Sequence, residues 1–363
     1  MNDADFAEAI FPKLVDDLKA LAKIAAPTFK ESGRIRFISE YVNRLGVEGR
    51  TDGVGNLVVE LKGRTDSLVV FSSHVDTVFD GIVPEIREEG GRLYGPGSCD
   101  NALGAVANLY LLRYLLKSRP NRTVHFVFNV CEEGLGNLKG IREYFCQVDT
   151  KKLRFHVCIE GILLGRITKE TVGSRRFLIS VRTAGGHSWR DYGAANAIIV
   201  ASGIIAGMRL IDLPPATTLN VGKISGGTSV NSIPDLCETA VEIRSADMSC
   251  LSRVYKDVNH ILHQVQEAQI GIRILGERPC GRLREEFMYA DKALKKIQAS
   301  LGIQTEESAG STDSNYPLSQ GLPSFTVGIS NAEKTHSLKE SVELEPIKKG
   351  LVQLIRLQKF LDS

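Results

Sequence analysis

Three apolar runs of strand length, Ser67–Phe71, Thr123–Val130 and Phe155–Ile159, alternate with segments of helical period. This alternation constrains the fold more than any other feature of the chain. The runs are dominated by Val, Leu, Ile and Phe, the pattern of strands buried on both faces. Between and around them, residues 5–25, 31–45, 102–116 and 138–145 carry apolar side chains at helical spacing. Asn56–Leu61 reads as a further strand. The pattern resumes late in the chain with a helix at 291–301, a strand at Ser324–Ile329 and a helix at 345–361. Strands alternating with helices predict an α/β fold, a mostly parallel sheet with helices on both faces.

The character changes near Thr171. Phe177–Thr183 and Leu236–Arg244 alternate like half-exposed strands, with helices over 194–208 and 251–268 and another strand at Ile270–Leu275. That order predicts an inserted ferredoxin-like α+β domain of β-α-β-β-α-β type. At 363 residues the chain exceeds what one core usually serves. The expected organisation is a catalytic domain in two parts, 1–171 and 283–363, interrupted by an inserted domain at 172–282.

Composition narrows the classes of function. A formal charge of +2 gives no electrostatic case for nucleic acid or a membrane surface. The first residues carry acids where a signal peptide needs bases, and no apolar run approaches membrane-spanning length. Seven scattered cysteines without a CxxC pair read as reduced thiols, which points to the cytoplasm.

The chemistry lies at the ends of the strands. His74-Val75-Asp76 follows the first run, and extended alternation puts its His and Asp on one face. A carboxylate there can hold one imidazole nitrogen and aim the other at a metal. Alone, such a pair more often caps a strand. Further along come Asp100 in a glycine-rich loop, Glu132-Glu133 after Val130, Glu160 after Ile159, and His336 after Ile329. In open parallel sheets sites gather at the carboxyl ends of strands, so these side chains can converge. Two imidazoles with three or four carboxylates suit divalent metal held by mixed nitrogen and oxygen donors. Metal ions also remove the repulsion between clustered anions.

The segments HVDT, GPGSCDN, CEEG, IEG, GGHS, NSIPD, GSTDSN and THS occur in the order seen in the co-catalytic zinc exopeptidase family, which the chain resembles from about residue 70 to 340. That family includes peptidase T, bacterial glutamate carboxypeptidase, aminoacylase and succinyl-diaminopimelate desuccinylase. The resemblance implies two Zn2+ per subunit, with Co2+ or Mn2+ as substitutes. It implies that Asp100 bridges the metals, that His74 and Glu160 complete one, and that Glu133 and His336 complete the other. Asp76 would orient His74, Glu132 would be the general base, and the Asp100–Asn101 peptide would be cis. Cys99 stands where relatives often have Gly, and Asn101 replaces a frequent Asp.

The resemblance also implies a role for the inserted domain. His187 would reach the active site of a partner subunit and stabilise the oxyanion, making the protein a homodimer. Asn231 and Arg244 match the pair that binds the substrate carboxylate in glutamate carboxypeptidase relatives; an arginine fork suits that task, as pairing with Glu242 also would. Ser311 and Thr312 lie in what resembles a substrate loop. The expected activity is hydrolysis of short peptides, with deacylation of N-acyl or N-carbamoyl amino acids as the alternative. An inactive binding protein would be expected to lack Glu132 or a metal ligand, and none is missing.

Overall fold

The computed structural model describes residues 2–363. In chain order, two helices, α1 (Asp3–Ala22) and α2 (Ser32–Arg44), precede strands β1 (Gly49–Thr51), β2 (Leu57–Leu61) and β3 (Thr65–His74). The short strands β4 (Arg87–Glu89) and β5 (Arg92–Tyr94) follow, and then a kinked turn over Ser98–Leu103. Next come α3 (Gly104–Leu115), β6 (Arg122–Asn129), α4 (Lys139–Gln147), β7 (Leu153–Ile162) and β8 (Arg166–Thr168). The middle of the chain holds β9 (Gly173–Arg182), β10 (Gly186–His187), α5 (Ala197–Met208), β11 (Thr217–Gly226), β12 (Ser232–Ile233), β13 (Leu236–Ser245), α6 (Met248–His263) and β14 (Gln269–Arg278). The last part holds α7 (Met288–Ser300), β15 (Glu306–Glu307), α8 (Asn315–Ser319), β16 (Ser324–Ser330), β17 (Ala332–Glu333), β18 (Ser341–Glu343) and α9 (Pro346–Asp362).

The chain divides into two compact units. The larger comprises residues 1–171 and 281–363, the smaller Val172–Cys280. The larger unit is built on an eight-stranded sheet of order β1-β2-β6-β3-β7-β16-β8-β15. Its centre is parallel: β3 pairs in parallel with both β6 and β7, and β16 with β7. Val69, Phe71, Val124, Phe126, Phe128, Phe155, Val157, Phe325 and Val327 are fully buried there, as helices covering both faces require. Helix α3 is buried along almost its whole length, with Leu109, Leu111 and Leu112 in one core with α1 and α9. This packing fixes the level at which the strands end.

The smaller unit is a four-stranded antiparallel sheet of order β11-β13-β9-β14 whose core is closed by α5 and α6. The four strands of that sheet and the two helices follow in the order β-α-β-β-α-β, with β10 and β12 pairing apart from it. Strand β11 fills the one place in that order for which no segment could be named from the sequence. It is an exposed strand whose register shifts between Val221 and Lys223, around Gly222, so its alternation is broken where it would be read.

Candidate metal centre

The four central parallel strands deliver their chemistry at one end. His74 is the last residue of β3, opposite Asn129, the last of β6. Beyond β6, Cys131 takes a left-handed φ of 56° and turns the chain so that Glu132 and Glu133 follow. Glu160 lies near the end of β7, paired with Gly328 of β16. After β16 and β17, the loop to β18 carries His336, itself at φ 60°. Non-glycine residues at such angles are costly and concentrate at functional sites. Asp100 sits in the kinked turn over Ser98–Leu103, where its own backbone is not helical, and the Asp100–Asn101 peptide is cis.

Asp100 lies between the two imidazoles. Its Oδ1 is 3.1 Å from His74 Nε2 and its Oδ2 is 3.1 Å from His336 Nε2. Glu160 Oε2 lies 3.6 Å from His74 Nε2, and Glu133 Oε1 lies 3.0 Å from His336 Nε2. Potential ligand atoms cluster within 4.8 Å of one another in three sets: His74-Asp100-Glu160, Asp100-Glu133-His336 and His74-Glu132-Glu133. The first two share Asp100, with one oxygen turned to each. All these groups are buried except His336, whose side chain is half exposed.

Charge explains the coupling. Burial alone would push the His74 imidazole down, but Glu160, Asp100 and Asp76 raise it well above its ordinary value. Hydrogen bonds to Asp100 and Glu133 raise His336 to about 10. Asp100 is held below the carboxylate range because the two imidazoles outweigh its burial. The donor set calls for positive charge at two points flanking Asp100. Two divalent cations fit that demand with the nitrogen and oxygen donors present.

Side chains from one of these segments hold the backbone of another. Asp76 Oδ1 lies 3.4 Å from His74 Nδ1, while the Asp76 carboxylate accepts the N–H groups of Glu132 at 2.9 Å and Glu133 at 2.8 Å. Asn101 donates to the Ile159 carbonyl and accepts from Gly161 N–H, both at 2.9 Å, so it brackets Glu160. Gly161 must be glycine, since a Cβ there would lie 2.0 Å from the Cys99 carbonyl oxygen. Cys99 is fully buried and joins none of the three clusters among the described residues.

Three residues of this site were not singled out from the sequence. Glu340, fully buried, accepts from the N–H groups of Cys99 and Asp100. Arg34, fully buried in α2, donates to the Val75 carbonyl between His74 and Asp76. Asp313, also fully buried, accepts from Asn129 Nδ2 at 2.7 Å; burial pushes it up to about 7 against the pull of His74 and Asn129. Asp313 sits in the quoted segment GSTDSN and Glu340 follows His336 by four positions, so proximity to a motif was the available signal. Thr312, by contrast, turns its hydroxyl to Thr326 at 2.7 Å inside a buried cluster with Ser314. Ser311 is partly buried beside it.

The remaining predicted residues lie in the smaller unit. His187, on β10, is exposed, and its Nδ1 accepts the N–H groups of Trp189 at 3.2 Å and Arg190 at 3.4 Å. An acceptor nitrogen carries no proton, so the ring proton of neutral His187 resides on Nε2. Asn231 adjoins it, its carbonyl accepting Ser188 N–H at 3.1 Å. Arg244 closes its fork on Glu242, Nε to Oε2 at 2.8 Å and Nη2 to Oε1 at 3.1 Å. The structure thus brings His187 and Asn231 together and finds Arg244 paired with the acid two residues before it.

Comparison with known proteins identifies the family of the chain. The profile of Peptidase family M20/M25/M40 matches residues 70–357. Carboxypeptidase G2 of Pseudomonas sp. is 26% identical over 322 residues, covering 83% of this chain and 76% of that protein. Succinyl-diaminopimelate desuccinylase of a Psychrobacter species is 24% identical over 328 residues, covering 83% and 81%. The crystal structure of a tripeptidase from Staphylococcus aureus superposes with a TM-score of 0.79 at 21% identity, covering 97% of this chain and 98% of that one. With the family profile spanning most of its length, this chain is a member of the peptidase family M20/M25/M40, a family of hydrolases.

Proposed function

We propose that this enzyme is a two-zinc exopeptidase of short peptides. The observation that carries the reading is Asp100, whose two carboxylate oxygens each face one imidazole while Glu132 adjoins the ligand Glu133. In this reading His74 and Glu160 hold one metal, Glu133 and His336 the other, and Asp100 both. Such a pair, when bound, lowers the pKa of water and polarises the scissile carbonyl. Glu132 accepts the proton of the attacking water and returns it to the leaving amine. Asp76 holds the His74 ring and the backbone of Glu132 and Glu133, so base and ligands keep one geometry.

Residues of the smaller unit complete the site in a homodimer. His187 offers its Nε2 proton to the oxyanion in a second copy. Helix α5 supports an interface, since Ile199 is 69% exposed and the adjoining Leu210 is 86% exposed. Asn231 and Arg244 bind the substrate carboxylate, which displaces Glu242 from the arginine fork, and Ser311 with Thr312 frames the substrate loop. The seven unpaired cysteines support a cytoplasmic location.

The second reading is a deacylase of N-acyl or N-carbamoyl amino acids, favoured by the likeness to succinyl-diaminopimelate desuccinylase and compatible with every residue named. The deciding experiment strips the protein with chelator, reloads it separately with Zn2+, Co2+ and Mn2+, and offers both substrate sets. Free amino acids from di- and tripeptides are the expected products. Acetate or succinate from acylated amino acids, with peptides untouched, would establish the deacylase instead.

A further inference from the structure

Glu340 grips the loop of the bridging aspartate at both ends. Its backbone carbonyl accepts Gly95 N–H at 2.9 Å, where that loop leaves β5. Its side-chain Oε1 accepts Cys99 N–H at 2.8 Å and Asp100 N–H at 3.1 Å, where the loop arrives at the metal centre. The next residue, Ser341, pairs with Tyr94 in the β18–β5 ladder. In the other direction, Glu340 N–H donates to Ser337 O, the residue after His336. One buried carboxylate therefore joins the segment of one terminal ligand to the backbone of the shared ligand. The fully buried Arg34 guanidinium lies close enough to Glu340 and Asp76 for both carboxylates to act on its charge.

We propose that Glu340 is a positioning residue of the metal centre, setting where Asp100 stands between the two cations through the Cys99 and Asp100 N–H groups. The proposal rests on the reading of Asp100 as the shared ligand. Both hydrogen bonds converge on one buried carboxylate oxygen, Oε1. The amide nitrogen of Asp100 is only three bonds from its carboxylate carbon, so a shift of that backbone shifts both ligand oxygens. Because the ligand is shared, losing the support should weaken both metals together, whereas a terminal ligand's support would weaken one.

The test is titration of the stripped full-length protein with Co2+, followed by visible absorption and by stoichiometry at equilibrium dialysis, for wild type, Glu340→Ala and Glu340→Gln. Groups that orient metal ligands typically carry about 10–100-fold in metal affinity. Glu340→Ala is expected to lose affinity in that range at both sites, with kcat falling and KM nearly unchanged. Glu340→Gln keeps one acceptor oxygen and should fall between wild type and Ala. If Glu340→Ala does not fold, Glu340→Gln alone decides. Wild-type Co2+ affinity and spectrum in a folded Glu340→Ala, or in Glu340→Gln when it alone folds, would overturn the proposal. Wild-type protein that fails to take up two Co2+ would instead overturn the two-metal reading on which it rests.

Discussion

Asp76 Oδ2 accepts the backbone N–H of Glu133 at 2.8 Å, from a segment 57 positions away in the chain. The companion oxygen takes the Glu132 N–H at 2.9 Å and lies 3.4 Å from the His74 ring. One carboxylate therefore holds the segment after β6 and lies beside the ring at the end of β3, whose Nδ1 also meets the Asp76 carbonyl at 3.2 Å. Against the cost of burial, the imidazole and the two N–H groups hold its pKa below the usual carboxylate value.

Removing that carboxylate should disturb metal binding and proton transfer together. Asp76→Ala is expected to lose about 10–100-fold in metal affinity or kcat. Isothermal titration with Zn2+ and steady-state kinetics check this, and full activity in the variant would refute the role assigned to Asp76.

Glu132 should separate chemistry from binding. Glu132→Gln keeps shape and polarity but cannot accept a proton, so kcat should fall by at least about 100-fold, the range of general-base contributions. Metal stoichiometry should stay at the wild-type value. A variant that loses metal in proportion to its activity would show that Glu132 acts as a ligand.

Complementation is the test of the proposed sharing of His187 between copies. A His187→Ala chain and a Glu132→Ala chain are each expected to be nearly inactive as homodimers. Mixed heterodimers, isolated by two affinity tags, should regain activity at one of their two sites. Absence of recovery in verified heterodimers would refute the exchange of His187 between copies.

His156 should govern part of the acid limb of stability. Its ring lies buried between the Ser72 and Ser324 hydroxyls, each at 2.8 Å, and burial lowers its pKa from 6.5 to about 3. The folded state keeps the ring neutral, while the unfolded chain protonates it below about 6.5. The unfolded state then binds more protons, so stability falls as pH drops from about 6.5 to about 3 and is fully present above that window. One proton limits the slope to about 1.4 kcal/mol per pH unit. Unfolding free energies from urea titrations, plotted against pH, should be flatter by up to that amount in His156→Asn, and parallel curves would contradict it.

Sequence and structure divide along a physical line. Strands buried on both faces write themselves as continuous apolar runs, so Ser67–Phe71, Thr123–Val130, Phe155–Ile159 and Ser324–Ile329 were legible, and with them the parallel sheet. Residues at the ends of such runs were legible too, because His and acidic side chains are conspicuous beside Val and Phe. The exposed β11, interrupted at Gly222, left no such trace.

The sequence by itself determined which side chains, His74, Asp100, Glu133, Glu160 and His336, a parallel sheet could gather at one end. Only the tertiary structure decided how they are held. Asp76 grips Glu132 and Glu133, Asn101 brackets Glu160, and Glu340 reaches back 240 positions to Asp100. Each of these is a contact from side chain to backbone, and a backbone N–H is the same group in almost every residue. Such a contact leaves no mark on the identity of the partner, so folding alone reveals it.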